Sequence, residues 1–165
     1  SENNTLKNNY NYSNYFDLYE NNISSFSIFL KTANSINNKD IKLSERINIP
    51  SSKLRGFESG RVGPKDGDDY IGGNYAYAIN FTSTIPQFLE ESQNVDFVFF
   101  IDAANLWGVD YDNSLDDSGS IRSSTGIALD WYSPIGPLNF SLAYPITAEN
   151  GDKEETFRFN LGTSF

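Results

Sequence analysis

The side chains of this 165-residue chain that could do chemistry are mainly carboxylates, because the sequence contains neither histidine nor cysteine. This absence excludes Ser-His-Asp triads, cysteine nucleophiles, disulfides and the usual zinc sites. Asp110, Asp112, Asp116 and Asp117 suggest a calcium loop, but Leu115 stands where an EF-hand requires glycine, and the closing glutamate is missing. We therefore expect a solvated loop at these aspartates, with no metal site, no cofactor and no catalytic residues.

The overall charge excludes a further class of function. Lys and Arg number 12 and Asp and Glu number 22, which gives a net charge of −10. Without a basic excess, binding to the phosphate backbone of a nucleic acid is not expected. Aromatic residues make up 15% of the chain, which indicates a folded protein, since disordered segments are poor in them.

Apolar side chains recur at every second position along most of the chain. At the C-terminal end, Phe157, Phe159, Leu161 and Phe165 share one parity, and mostly polar residues occupy the other. This period of two indicates a β-strand with one apolar face. The same alternation predicts seven strands, near residues 6–19, 23–35, 72–85, 95–107, 121–133, 137–146 and 155–165.

Two architectures contain strands of this kind, a soluble antiparallel sandwich and a transmembrane β-barrel. Three features favour the barrel. The apolar parities are rich in Phe and Tyr, the alternation runs to Phe165, and the long connections, 36–71, 108–120 and 147–154, all fall at one end of the strands. The predicted fold is therefore all-β, an antiparallel transmembrane β-barrel with its apolar parity towards lipid.

The strand count bears on how much of a barrel is present. A bacterial barrel closes with an even number of strands, eight or more, and an open sheet in lipid would leave backbone groups unsatisfied. The sequence also lacks methionine, even at position 1. We therefore expect residues 1–165 to be the C-terminal part of a larger membrane barrel domain.

The connection between the second and third predicted strands, residues 36–71, is long enough to suggest a function of its own. It contains Leu54-Arg55-Gly56-Phe57 and, further on, Val62-Gly63-Pro64. An Arg-Gly-Phe tripeptide is by itself weak evidence, because a solvated loop tip has a similar composition.

Further motifs in the same order give a resemblance to a known family. They are Gly72-Gly73-Asn74, Phe100-Ile101-Asp102, Leu106-Trp107, Ser133-Pro134-Ile135-Gly136-Pro137-Leu138 and a terminal Phe-x-Phe-x-Leu-Gly-x-x-Phe. Together with the Arg-Gly-Phe loop, they resemble the C-terminal barrel half of the bacterial surface antigen family of outer-membrane assembly factors. The resemblance covers residues 54–165, and over residues 1–53 only the strand spacing agrees.

The resemblance implies a 16-stranded barrel preceded by POTRA domains. It implies insertion and folding of β-barrel proteins in the bacterial outer membrane by strand templating at a lateral seam, with the C-terminus periplasmic and the long loops extracellular. The implied partners are unfolded β-barrel clients, accessory assembly lipoproteins and outer-membrane lipids. A polypeptide-secretion transporter of the same superfamily and a passive porin-like barrel are the alternatives, although a simple pore does not need the long loop.

For the long loop, the resemblance implies that residues 36–71 enter the lumen and that Arg55 binds Asp102 on the barrel wall. The parity agrees, because Asp102 lies opposite the apolar face of its strand. Gly56 permits a sharp backbone path, and Phe57 supplies an apolar anchor. Where the family pattern often has a second acidic partner, this chain has Thr82. Asp102 is then expected to hold the arginine alone, or to share it with Asp130.

For the last strand, the resemblance implies the C-terminal assembly signal of barrel proteins, carried here by Phe157, Phe159, Leu161 and Phe165. In the family, this strand pairs weakly with the first strand, and the seam opens to template incoming strands. Gly162 matches a glycine that lets the last strand curl inward, although a small residue facing the lumen would also explain it.

Overall fold

One antiparallel sheet dominates the computed structural model, which describes residues 4–88, 94–117 and 119–161. Its strands are β1 (Thr5–Phe16), β2 (Ser24–Ser35), β5 (Tyr75–Thr84), β6 (Val95–Trp107), β7 (Arg122–Ser133), β8 (Gly136–Thr147) and β9 (Phe157–Leu161), and they lie in that order across the sheet. Between β2 and β5, the short strands β3 (Lys65–Asp66) and β4 (Asp69–Tyr70) form a hairpin. Within the described ranges, no helix is both long and apolar enough to span a membrane.

The seven predicted strands are confirmed, with local differences at their ends. The first strand ends at Phe16 rather than at residue 19, because the side chain of Asn22 accepts a hydrogen bond from the Leu18 N–H and so shapes a turn. The third predicted strand begins at Tyr75 rather than at residue 72, because the backbone of Gly73 pairs with Ile47 of the long connection. Residues 162–165, including Gly162 and Phe165, lie outside the described residues.

The two faces of the sheet differ as the alternation predicted. In β6, Val98, Phe100, Asp102, Ala104 and Leu106 are all buried and define what we call the inner face. Residues of the opposite parity form the outer face, where Ile101 is 43% exposed. Asp102 is therefore on the inner face.

The connection from residue 36 to residue 74 packs on the inner face and contributes half of the residues of its larger apolar cluster. The connection contributes Ile41, Ile47, Ile49, Leu54, Phe57 and Val62, and the strands contribute Phe29, Ala33, Ala76, Ala78, Ala104 and Leu106. Four of the six strand residues are alanines, which leave room for the larger side chains of the connection. Burial of these side chains is the main force that holds the connection against the sheet.

The outer face exposes large apolar side chains on one strand after another. Cross-strand pairs join Ile127 to Leu142 and Leu142 to Phe157, and each of these three residues is at least 38% exposed. A continuous apolar surface of this kind is not typical of a soluble protein, whereas it is what a barrel presents to lipid. The sheet is therefore part of a membrane β-barrel, open along its two edge strands in the described chain.

We predict that the isolated 165-residue chain does not remain a soluble monomer without detergent, because its outer face and two strand edges are exposed. Sedimentation velocity in buffer and in detergent micelles checks this expectation. We expect aggregates in buffer and a dispersed species in micelles. A monodisperse monomer in buffer would contradict the membrane assignment of the outer face.

Candidate functional site: the arginine segment bound to the inner face

The Arg-Gly-Phe motif lies in a short segment that crosses the inner face of the sheet. We call residues 51–58 the docking segment. It begins with a 3-10 turn, Ser51–Lys53, directly after Pro50. Proline has a fixed φ and no N–H to satisfy, so it suits the start of such a turn. The turn brings the chain down onto the sheet, so that Arg55 reaches β6.

Asp102 binds Arg55 through both carboxylate oxygens. Its Oδ2 accepts hydrogen bonds from the backbone N–H of Arg55 at 3.0 Å and from the Arg55 Nε at 2.7 Å. Its Oδ1 accepts from the Arg55 Nη2 at 2.8 Å and from the side-chain amide of Asn80 at 2.8 Å. Four donors thus satisfy the four lone-pair directions of a carboxylate whose side chain is fully buried. The bidentate geometry is one that lysine could not reproduce.

The guanidinium is also held from its flat side. The Cζ of Arg55 lies 3.7 Å from the centre of the Phe100 ring, which is fully buried. A cation this close to a shielded aromatic face gains a favourable cation–π interaction. Gly126 leaves room for that ring, because a Cβ atom there would lie 2.8 Å from the Phe100 Cζ and 2.1 Å from the carbonyl oxygen of Leu142.

Gly56 allows the backbone to touch the wall of the sheet. Its φ is +92°, a conformation that residues with a side chain rarely adopt, and a Cβ there would lie 3.2 Å from the Cβ atoms of Ser124 and Ala143. The Ser124 hydroxyl donates a hydrogen bond to the carbonyl of Arg55. Phe57 is 1% exposed and belongs to the apolar core. Gly56 thus lies against the sheet, and Phe57 lies in the apolar core.

The hydrogen bonds of the other two candidate partners of Arg55 go to different residues. Thr82 shares a hydrogen bond with the Ser25 hydroxyl and lines a polar cavity of about 460 Å3 beside the docking segment. Asp130 accepts a hydrogen bond from the Asn139 amide. Asn80, which the sequence did not single out, supplies the additional contact to Asp102. Its amide also donates to the carbonyl of Lys53 at 2.8 Å, so it binds both the docking segment and the carboxylate that holds Arg55.

Two more buried arginines join the long connections to one another and to the sheet. Arg122 on β7 pairs with Asp152 of the β8–β9 connection at 2.8 Å, and both side chains are at most 3% exposed. Arg46 of the long connection pairs with Asp110 of the β6–β7 connection. Asp110 is exposed, as expected of a solvated loop, but it also binds a buried arginine, which the spacing of the aspartates did not predict. Its partner lies 64 residues away, so no local spacing could have indicated it.

The environment of Asp110 determines how this contact responds to pH. Partial burial raises the pKa of the carboxyl group, but the Ile41 N–H, the Arg46 guanidinium and the Asn74 amide favour the charged form. The net effect is a pKa below the ordinary value of 3.8. The group is therefore ionised at neutral pH, and its contacts connect the β6–β7 connection to the long connection.

Comparison with known proteins gives the family. Residues 1–165 match the sequence profile described as the Omp85 superfamily domain. The chain belongs to this superfamily. The barrel in the crystal structure of BamA from Haemophilus ducreyi lacking POTRA domains 1-3 superposes with a TM-score of 0.82 and 31% identity, over 94% of this chain and 34% of that chain.

Relatives of this Omp85 chain occur in bacteria and in yeasts. Outer membrane protein assembly factor BamA of Neisseria meningitidis serogroup B is 33% identical over 139 residues, 68% of this chain and 17% of the relative. The sorting assembly machinery 50 kDa subunit of Saccharomyces cerevisiae is 32% identical over 123 residues, 69% of this chain and 25% of the relative. The chain thus spans a quarter or less of the length of these two proteins.

We predict that Arg55→Ala in the full-length protein destabilises the barrel and exposes the long connection to trypsin. Removing one partner of a buried ion pair leaves the other charge uncompensated, which costs about 3–5 kcal/mol. Thermal unfolding in detergent and the rate of trypsin cleavage measure the two effects. Asp102→Asn should act in the same direction, and the double variant should lose less than the sum of the single losses.

Arg61→Ala is the matched control for Arg55→Ala. Arg61 lies in the same connection, but its pair with Glu58 is 3.8 Å long, and both side chains are nearly half exposed. An exposed pair contributes about 0–1 kcal/mol, so this variant should behave like the wild type. Equal trypsin resistance of the wild type, Arg55→Ala and Arg61→Ala would refute the docking role of Arg55.

We predict that Asp110→Asn lowers the thermal unfolding temperature at neutral pH and that this difference shrinks in acid. A carboxyl group with a lowered folded pKa contributes stability that is complete above its unfolded pKa and is lost as the pH falls through the folded value. The difference should therefore begin to decline below about pH 3.8. Asp68→Asn is the control, because Asp68 is exposed in the turn between β3 and β4. A pH-independent difference for Asp110→Asn would rule out this titration.

Proposed function

We propose that the full-length protein containing this chain is an outer-membrane protein assembly factor, which inserts and folds β-barrel proteins. One observation carries this proposal. Relatives from bacteria and from yeast, whose names all describe an assembly role, match this chain over its barrel region at about one third identity. Since these organisms are so different, assembly is the role that their matching barrel regions have in common.

The physical basis of such a function is strand addition at a sheet edge. An unpaired edge offers N–H and C=O groups that an incoming strand can satisfy, and main-chain hydrogen bonds then provide affinity without a sequence requirement. In the described part of the chain, β9 is an edge strand that pairs on one side with β8. We assign β9, with Phe157, Phe159 and Leu161 on its outer face, to the templating seam. We assign Gly162 and Phe165, which follow β9 in the sequence, to the same seam.

The docking segment is proposed to keep the wall rigid while the seam works. Its contacts reach β5, β6, β7 and β8 through Asn80, Asp102, Ser124 and Ala143. All four lone-pair directions of the Asp102 carboxylate are occupied, so this group has a structural role rather than an acid–base role. The proposed function accordingly involves binding and positioning, with no catalytic residue and no cofactor.

The proposal includes a location and partners. We propose that the sheet lies in an outer membrane, with residues 36–71 in the lumen, the C-terminus periplasmic and the long loops extracellular in a bacterial host. The apolar outer face supports the membrane location. The partners are unfolded β-barrel clients, accessory assembly lipoproteins and the surrounding lipids. Protease accessibility from each side of the membrane tests this orientation, and cleavage of the long loops from the periplasmic side would reverse it.

We predict that the full-length protein in liposomes accelerates the folding of a urea-denatured β-barrel client at least several-fold over empty liposomes. The shift of a folded barrel in an unheated gel measures the folded fraction over time. Arg55→Ala should lower the rate and Arg61→Ala should not. Folding at the rate of empty liposomes would refute the proposal.

Two alternatives give different outcomes in the same liposomes. A polypeptide-secretion transporter of the same superfamily would move a soluble partner across the bilayer without accelerating the folding of barrel clients. A passive porin-like barrel would release small solutes and accelerate neither process. The large connection bound in the inner face favours the assembly role over the pore, because it fills space that a pore would leave open.

A further inference from the structure

Arg158 on β9 joins the last described strand to the docking segment. Its side chain points to the inner face and is 10% exposed. The Nη1 donates to the carbonyl of Ser51 at 2.7 Å, and the Nη2 donates to the carbonyl of Phe57. The Nε donates to Glu155 at 3.2 Å. One buried guanidinium thus binds three acceptors, two of which belong to the docking segment.

The two carbonyls bound by Arg158 lie on either side of Arg55 in the sequence. Ser51 is at the start of the docking segment and Phe57 is near its end. Both carbonyls can point towards Arg158 only while the chain between them keeps its turn. That turn is held by the three hydrogen bonds from Arg55 to Asp102. The contacts of Arg158 therefore depend on the same turn as the contact of Arg55, although Arg55 binds β6 and Arg158 belongs to β9.

The backbone connects the same two regions. The Glu155 N–H donates to the carbonyl of Gly56 at 2.9 Å, and the Glu58 N–H donates to the carbonyl of Lys153 at 2.8 Å. These bonds form a short antiparallel pairing between residues 56–58 and residues 153–155, centred on the bridge between Phe57 and Glu154. The polypeptide that leads into β9 is therefore bound to the docking segment before the strand begins.

Within the described residues, β9 pairs with β8 alone among the strands. The docking segment is thus a second support for β9, independent of the sheet ladder. A central strand has two neighbours and is less dependent on such a support. Among the described residues, β1 and β9 each have one neighbouring strand, and Arg158 binds β9 to the docking segment.

We propose that the docking segment controls how firmly β9 is held in the sheet and that Arg158 is the positioning residue that couples them. Release of Arg55 from Asp102 removes the ordered carbonyls of Ser51 and Phe57, and β9 loses its second support. This inference rests on the proposed function in one respect, since it names the regulation of the templating strand. The docking segment would thereby control how easily β9 opens to pair with an incoming strand.

Hydrogen–deuterium exchange of the full-length protein in detergent tests the coupling. We expect Arg158→Ala to increase the exchange rate of the amides in Phe157–Leu161 roughly tenfold, because it removes charged donors from two carbonyls. Arg55→Ala should also accelerate exchange in β9, although Arg55 does not contact that strand in the structure. Arg158→Lys, which retains the charge but not the fork of donors, should give an intermediate rate and protects the test against a folding failure of the alanine variant.

The controls are chosen from the same strand and the same loop. Asn160→Ala changes an exposed residue on the inner face of β9, and Arg61→Ala changes an exposed arginine of the long connection. Neither should alter exchange in β9. The double variant Arg55→Ala with Arg158→Ala should show less acceleration than the product of the two single effects. An unchanged β9 in Arg55→Ala, or effects that multiply fully, would overturn the coupling.

The exchange measurement separates this inference from the proposed function. It uses no client protein, so its result does not depend on whether the protein assembles barrels. Conversely, a failure to accelerate client folding with coupled exchange intact would refute only the assembly role. Normal client folding with uncoupled exchange would refute only the control of β9 by the docking segment.

Discussion

A fully buried carboxylate on the inner face is the constraint on which the remaining contacts depend. Asp102 is fully buried between Phe100 and Ala104 on the inner side of β6, where an unpaired charge would be very unfavourable. The fold must therefore bring a cation to it, and the cation comes from a connection 47 residues earlier in the sequence. Once Arg55 is bound, Gly56 and Phe57 have determined positions, because the backbone N–H of Arg55 also binds the carboxylate.

The docking segment crosses the sheet and contacts several of its strands. Neighbouring strands are joined by their own ladders, and these ladders alone allow a sheet to bend and twist. A segment that contacts five consecutive strands at once limits such motion, since a change in curvature would break contacts on several strands together. The value of the buried ion pair is therefore best understood as specificity of position. A buried pair is often no more stabilising than well-packed apolar residues, whereas it tolerates very few alternative geometries.

The two faces of the sheet have different surroundings and different compositions. The outer face is apolar and unselective, because lipid accepts any large hydrophobic side chain. The inner face has two kinds of contact with the connections. Apolar side chains pack against the long connection, and charged side chains pair with residues of the connections. In this member of the Omp85 superfamily, three arginine–aspartate pairs and Arg158 divide the inner face into contacts with the connections after β2, β6 and β8. These connections consequently form one bound layer rather than three independent loops.

The sequence by itself determined the strands, their faces and the open antiparallel sheet, because a period of two depends only on local geometry and on which side is apolar. The resemblance to the family pointed to Arg55 and Asp102, and the parity of Asp102 in its strand agreed with it. The sequence did not predict that β1 ends at Phe16 or that β5 begins at Tyr75. These ends depend on the turn formed by the Asn22 side chain and on the backbone pairing of Gly73 with the long connection.

Only the tertiary structure decided which charges meet. Arg122 finds Asp152 across 30 residues, Arg46 finds Asp110 across 64, and Arg158 reaches Phe57 across 101. Any of these arginines could have faced water in a plausible strand or loop, and the same acidic residues were available to all of them. The pairing depends on the sheet order and on the path of a connection packed by its apolar residues. Ion pairs form between residues that are close in space, and the spacing of residues in the sequence predicts such closeness only over a few positions.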